Sequence, residues 1–437
     1  MTCVALRAML RHATYGFTIC CSRHSLTRGR TITTAVLVAV SRPYQMEGAV
    51  QRRQFLQGLG SAGAATLLAA CAQSFQIPRN TMTGQGTGNG LDERDSDGMW
   101  REAAAYARWT PSPHNIQPWR LRVLSAHEAE VYHDPRRRLP DTDPTSAFTT
   151  MSLAMFVEAL SIAVAPHRAR VEARYEARTL DYTTGKPSLF ATLRLIDEVN
   201  VPRSDALEQR ERLLQRKTSR LPYDGTPVST ESLAALVHAG GLGDHRLQWS
   251  DSAPFIHDCL ELNRRALFDD LQDNATRTEL ARWIRPTHTE AESTKDGLWA
   301  HCLRFPGWLL RDFFEHHERW ARGKRADLCG RLLLRGLRGT RTIAWWSGPF
   351  ATPADWIQCG QVLHRSWLEL TRHDLQLHPF GSVVTNLKTH AAFLARLGDD
   401  APRDPVWLIA RIGRSARPPR SYRLETPALF LDDRELT

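Results

Sequence analysis

Three prolines within eight residues force the stretch Pro111-Ser112-Pro113-His114-Asn115-Ile116-Gln117-Pro118-Trp119 out of both helix and strand. Each fixes its own φ near about −65° and removes a backbone donor. The segment must be a rigid turn that ends one element and launches the next, the alternating Arg120-Leu121-Arg122-Val123. A turn this polar is not packing core. Ser112, Asn115 and Gln117 hold short dipoles in a fixed frame, which suits a planar ligand with donors and acceptors along one edge.

The elements around the turn predict an α+β chain. Trp100, Ala103, Ala104 and Ala107 follow helical spacing from about Asp97 and stop at Thr110-Pro111. Strands are expected at 120–124 and 130–133, then a turn from Leu139 to Pro144. Leu153, Phe156, Leu160 and Val164 predict a helix with one apolar face, followed by strands at 170–177 and 191–196. The order then returns. Helices are expected at 205–215 and 230–238 and a strand at 246–249. A helix at 356–373 carries Leu363, Trp367 and Leu370 on one face, and a strand follows at 406–412. This reads as two similar halves, 97–204 and 205–437, the second holding a helical insertion at 260–350. The insertion reads equally as a lid over a site or as a structural subdomain.

The net charge of +10 does not indicate a nucleic-acid partner. Residues 1–70 contain eight arginines and one acid, Glu47, which leaves about +3 for the rest. Cys259, Cys302, Cys329 and Cys359 show no metal-like spacing, so no metal is expected.

The N-terminus reads as an address. Gln51-Arg52-Arg53-Gln54-Phe55-Leu56, followed by a Gly/Ala-rich segment, predicts a twin-arginine export signal. Leu68-Ala69-Ala70-Cys71 is similar to a bacterial lipobox, with Cys71 lipidated. The alternative is a plain cleaved signal with an incidental cysteine. Residues 1–45 precede Met46, where an ordinary start would fall, so 1–71 is expected to be an upstream extension plus signal. Residues 72–96 read as a disordered tether. The twin-arginine machinery would then be a partner, and the protein would be periplasmic or anchored outside the bacterial cytoplasmic membrane.

The pattern Pro-Ser-x-x-Asn-x-Gln-Pro-Trp at 111–119 resembles the flavin-binding loop of the nitroreductase family. Arg216-Lys217-Thr218-Ser219-Arg220 resembles the family's Arg-x-Ser/Thr-x-Arg element, and Arg420 and Arg423 its C-terminal basic pair. Pro379-Phe380-Gly381 falls where the family places a loop against the flavin ring. Residues 216–225, 279–284, 296–298 and 411–413 resemble the tandem, Acg-type branch, and the likeness runs from about Asp97 to Leu424. The resemblance implies a nitroreductase-like fold and FMN as cofactor. Ser112, Asn115 and Gln117 would meet the ring edge. Arg216, Thr218, Arg220, Arg420 and Arg423 would hold the phosphate, since a doubly charged anion favours guanidinium forks and a hydroxyl donor. Pro379 and Gly381 would lie against the ring, and His114 would either face it or act as an ordinary loop hydrogen-bonding residue.

Ordinary members of that family are homodimers with two shared sites. Here the Asn/Gln loop occurs only in the first half and the phosphate element only in the second. The matching stretch Gly240–His245 lacks both Asn and Gln. The resemblance therefore implies a pseudo-dimer within one chain, monomeric, with a single site. It implies an FMN-dependent oxidoreductase moving a hydride through flavin N5. The donor would be NADH, NADPH or another reductant, and the acceptor a quinone or nitroaromatic; no catalytic side chain is required. The rival readings are a flavin-sequestering protein with little turnover, and an envelope protein that keeps the fold without the cofactor.

Overall fold

The computed structural model describes residues 98–198 and 202–436. The expectations for the export signal, Cys71 and the tether lie outside the described residues.

The first half opens with α1 (Gly98–Ala107), which buries Trp100, Ala103, Ala104 and Ala107. After the Pro-rich turn come β1 (Trp119–Val123) and β2 (Glu128–His133), then α2 (Ala147–Val164), β3 (Ala169–Tyr175) and β4 (Ser188–Asp197). These strands form an antiparallel sheet in the order β1-β2-β4-β3. Asp143 starts α2 by accepting from the amides of Phe148 at 3.2 Å and Thr149 at 2.8 Å.

The second half begins with α3 (Arg203–Gln215), α4 (Thr230–Gly240) and β5 (Arg246–Ser250). The insertion contains α5 (Ala253–Asp270), α6 (Asn274–Trp283), β6 (Ile284–Arg285), α7 (His288–Thr294) and β7 (Leu298–Trp299). It continues through α8 (Ala300–Leu303), α9 (Gly307–Glu315), α10 (His317–Trp320) and α11 (Gly323–Gly336). Next come β8 (Thr342–Ser347), α12 (Pro353–Arg372), β9 (Gln376–Pro379), α13 (Gly381–Thr385), α14 (Leu387–Leu397) and β10 (Val406–Gly413). The second sheet runs β5-β8-β10-β9, again antiparallel throughout. Each half thus repeats one plan: helix, two strands, helix, two strands, with the fourth strand paired between the second and the third.

Two expectations change. The stretch 260–350 is not helical to its end, because Thr342–Ser347 is an inner strand buried along its whole length. An all-buried strand lacks the apolar–polar alternation that announces a surface strand. Nor does α2 have a single apolar face: Ala147, Met151 and Met155 bury against the second half, while Leu153, Phe156 and Leu160 bury in the first. It is long and apolar enough to cross a membrane by composition, yet most of it lies inside the fold. α2 and α12 cross at Gly360, where a Cβ would come within 2.3 Å of the Met151 carbonyl oxygen. The core between the halves depends on that close approach.

Candidate functional site

The Pro-rich turn joins α1 to β1, and its backbone is strained. His114 (φ 47°), Asn115 (φ 57°) and Gln117 (φ 52°) are all left-handed without being glycine. Such a conformation costs roughly 1–2 kcal/mol per residue, so the surroundings must enforce it. The Gln117 amide donates to Ser112 Oγ at 3.0 Å. Gln117 Nε2 donates to the carbonyls of Asn115 at 3.3 Å and Lys295 at 3.0 Å, and its Oε1 accepts from the Leu424 amide at 2.8 Å. Asn115 Nδ2 donates to the carbonyls of Gly297 at 3.0 Å and Tyr422 at 3.1 Å. The turn therefore ties together three stretches far apart in sequence.

This changes the roles expected of two of the three polar residues, Ser112 and Gln117. Gln117 is fully buried, and both ends of its side chain are engaged by the chain, so it acts as a strut. Ser112 braces the turn from inside. Asn115 Oδ1 and His114 Nδ1 are buried without a partner. An unpaired buried polar atom costs about 1–3 kcal/mol, so Asn115 Oδ1 marks where a ligand's donor can be met, and His114 Nδ1, donor or acceptor according to the tautomer, marks a second polar contact. Burial, and then the charge of Arg220, pushes the His114 imidazole down to about 4, so it is neutral at neutral pH.

Against the turn stands a group of cations around Trp109. Arg216 is buried, donates to the Trp109 carbonyl at 2.8 Å and lies over the Trp367 ring at 4.7 Å. Arg420 stacks on the Trp109 ring at 3.3 Å, and Arg423 approaches the same ring at 5.9 Å. Burial, followed by mutual repulsion, lowers Arg216 well below the usual arginine range and Arg420 to about 9. Arg423 falls to about 10 through burial, with Cys302 opposing and Arg108 adding to the shift. Arg220 is also lowered by burial. Lys217 drops to about 8 through burial and then Arg417 and Arg420. Among the described residues no carboxylate faces any of these four arginines. Arg216 Nη1, Arg420 Nη2 and Arg423 Nε are buried and unpaired. Cation–π contact contributes about 0.5–2 kcal/mol, which does not offset several kcal/mol for each desolvated charge. The arrangement fits an anion.

The remaining expected residues lie on or beside β9. Thr218 bridges to Leu377 beside β9, half-buried. Pro379 ends β9, and Gly381 is exposed with open space where a Cβ would stand. His378, next to Pro379, accepts from Arg411 Nε at 3.2 Å, and burial, then Arg411 and Arg220, keeps it neutral.

The insertion closes onto the turn. Glu279 is buried and accepts from the amides of Asp141 at 2.7 Å and Thr142 at 3.0 Å, and from the Thr142 hydroxyl. Asp296 joins Arg137 at 3.0 Å to Arg285 at 2.7 Å. Ile116, Leu139 and Trp283 form a small core beneath. Gly297 has φ 73°, and a Cβ there would fall 2.5 Å from the Trp283 carbonyl oxygen. Two surface cavities, of about 420 Å³ beside Arg277 and His317 and about 380 Å³ beside Asp244 and His245, share no residue with the cation group.

Sequence reading missed Trp109, Trp367, His378, Arg411 and Cys302. Cys302 is buried, hydrogen-bonded to Ser421 and close to Arg220 and Arg423; burial pushes its thiol up. Trp109 adjoins the turn, His378 adjoins Pro379 and Arg411 opens the stretch 411–413, which gives each of these three a local signal; Trp367 and Cys302 have none.

No family model matches the chain. The uncharacterised proteins MT3212 and Rv3127 of Mycobacterium tuberculosis (strains CDC 1551 and H37Rv) are each 24% identical over 298 residues, covering 62% of this chain and 75% of each relative. Among solved structures the chain is similar to a nitroreductase with bound FMN from Bacteroides fragilis (14% identity, 48% of this chain, 89% of that chain, TM-score 0.28). It is also similar to a nitroreductase with bound FMN from Desulfitobacterium hafniense (12%, 49% and 93%, TM-score 0.29). A third is the FMN-dependent nitroreductase NfnB from Mycobacterium smegmatis in complex with NADPH (15%, 51% and 96%, TM-score 0.30). Overlaps of this size fix neither a family nor a function.

Proposed function

We propose that this protein is an FMN-dependent oxidoreductase of the nitroreductase-like, tandem kind, with one site assembled from both halves of a pseudo-dimeric chain. One observation carries the reading: four arginines with no counter-ion among the described residues converge on a strained turn that keeps a buried acceptor, Asn115 Oδ1, unpaired. The residues fit FMN. Arg216, Arg220, Arg420 and Arg423, with Thr218, would hold the phosphate, and Asn115 and His114 would meet the ring. When bound, FMN supplies hydride and electron transfer at N5, from a reduced donor such as NADH or NADPH to a quinone or nitroaromatic. The chain's own part is to bind the anion, orient the ring and exclude water. Gln117 keeps the turn and the C-terminal tail together, and neutral His114 and His378 add no charge to an already cationic wall.

The repeated strand order supports the pseudo-dimer. A second reading, a flavin-sequestering protein with little turnover, is favoured by the hydrogen bonds and ion pairs that fasten the insertion over the turn. Purified protein is expected to show flavin absorbance, to bleach with NADPH and to recover with a quinone. Absorbance without bleaching selects sequestration; a colourless protein indifferent to added FMN rejects both. We also propose export by the twin-arginine route with lipidation at Cys71, which mass spectrometry of membrane-associated protein tests.

A further inference from the structure

The insertion carries a charge pattern that the flavin site does not use. Between Arg304 and Arg341 ten lysines and arginines face four acids, a net +6, while residues 98–437 as a whole carry +5. The positive charge of the folded region is thus concentrated in this one stretch. All ten cations are exposed. Arg311 pairs with Glu290 at 2.8 Å; the other nine have no ion-pair partner among the described residues.

On α11 the exposed residues Lys324, Leu328, Arg331 and Arg335 recur at i, i+4, i+7 and i+11, which places them along one outward stripe. The opposite side of the helix buries Cys329 and Gly330. α9, α10 and α11 share one small core of Leu309, Phe313, Trp320 and Cys329, so the stripe sits on a packed platform. Leu328, 41% exposed, lies within the stripe, and Trp308 on α9, which shares the small core with α11, is 66% exposed. One exposed acid, Asp327, stands beside the stripe, three residues after Lys324 and four before Arg331, against its three cations; a face built only for solubility would balance the two signs and leave tryptophan inside. Unpaired cations mixed with an exposed Trp and Leu are what an anionic lipid surface engages, through headgroup attraction and shallow apolar insertion. A nucleic acid would use the cations and leave the two apolar groups in water.

We propose that the outer face of α9–α11 docks on anionic phospholipid headgroups. The docking is independent of the flavin reading and of any anchor at Cys71. The test is co-sedimentation of the full chain with phosphatidylcholine vesicles, with and without about 30% phosphatidylglycerol, across a salt series. Binding to the anionic vesicles alone, lost on raising salt, is expected. Lys324→Glu with Arg331→Glu and Arg335→Glu should weaken it at least about tenfold, since each cation contributes at a charged surface. Trp308→Ser should cause a smaller loss at every salt concentration. An unchanged circular dichroism spectrum shows that the variants fold. Equal binding to neutral vesicles, no binding to anionic ones, an unaffected triple variant, or tighter binding to duplex DNA than to anionic vesicles would overturn the proposal.

Discussion

The two halves share a strand order and differ in the loop that precedes the first strand. In the first half residues 108–118 join α1 to β1; in the second, residues 241–245 join α4 to β5. Both loops need left-handed backbone. The second half obtains it from Gly241 (φ 53°) and Gly243 (φ 55°), whereas the first imposes it on His114, Asn115 and Gln117. Where positive φ serves only to turn the chain, glycine supplies it at least cost. Where side chains must also be presented, strain is accepted and stored. The contrast accords with the proposal that the first loop is the one that handles the ligand. The halves also differ in what joins their first two strands: residues 124–127 in one, and residues 251–341, the insertion, in the other. That insertion fastens onto the first half's turn, so each half completes the other.

The sharpest way to break the comparison is Arg216→Ala with Arg220→Ala. Loss of two charge-assisted contacts should weaken FMN binding by about 3–6 kcal/mol, read by quenching of flavin fluorescence. Asp244→Ala in the second loop should leave the affinity unchanged, and equal losses would remove the asymmetry. Next, Glu279→Gln replaces a buried carboxylate that accepts three donors, at a cost of about 1–3 kcal/mol to docking of the insertion. Faster hydrogen exchange at residues 139–143 is expected, and exchange like that of the parent protein would show that the insertion is held elsewhere. Asn115→Ala should leave FMN binding partly intact while shifting the flavin spectrum or potential; an identical spectrum and potential would place the ring away from Asn115.

The smallest effect is on pH. Lys217, lowered to about 8, loses charge in the free protein at pH values where an ordinary lysine keeps it, while the guanidinium of Arg420 stays charged. A bound anion raises Lys217, so binding takes up a proton there. FMN affinity should therefore hold below about pH 8 and decline above it. Calorimetry in buffers of different ionisation enthalpy would detect the uptake, and a flat profile from pH 7 to 10 would argue that the phosphate lies elsewhere.

Much of the architecture was legible. The helix at 98–107 begins one residue after the expected Asp97 and ends three residues short of Thr110, because a Trp/Ala stripe and a following proline are local signals. The strand at 342–347 was not, since burial on both faces removes the alternation, and a long helical stretch precedes it. At the site, Arg216, Arg220, Arg420 and Arg423 could be picked out by spacing and likeness. That Gln117 braces Leu424 and Lys295 could not, because nothing in a glutamine says whether its amide faces a ligand or the chain.

The order of residues alone determined the rigid turn, the helical periods and the supply of cations, because prolines, apolar spacing and charge act over a few residues. Tertiary structure decided which atoms stay unpaired. Only folding brings Tyr422 and Gly297 to Asn115 and stacks Arg420 on Trp109. Burial then turns ordinary side chains into an anion-seeking wall, and burial belongs to the whole molecule rather than to any stretch of it.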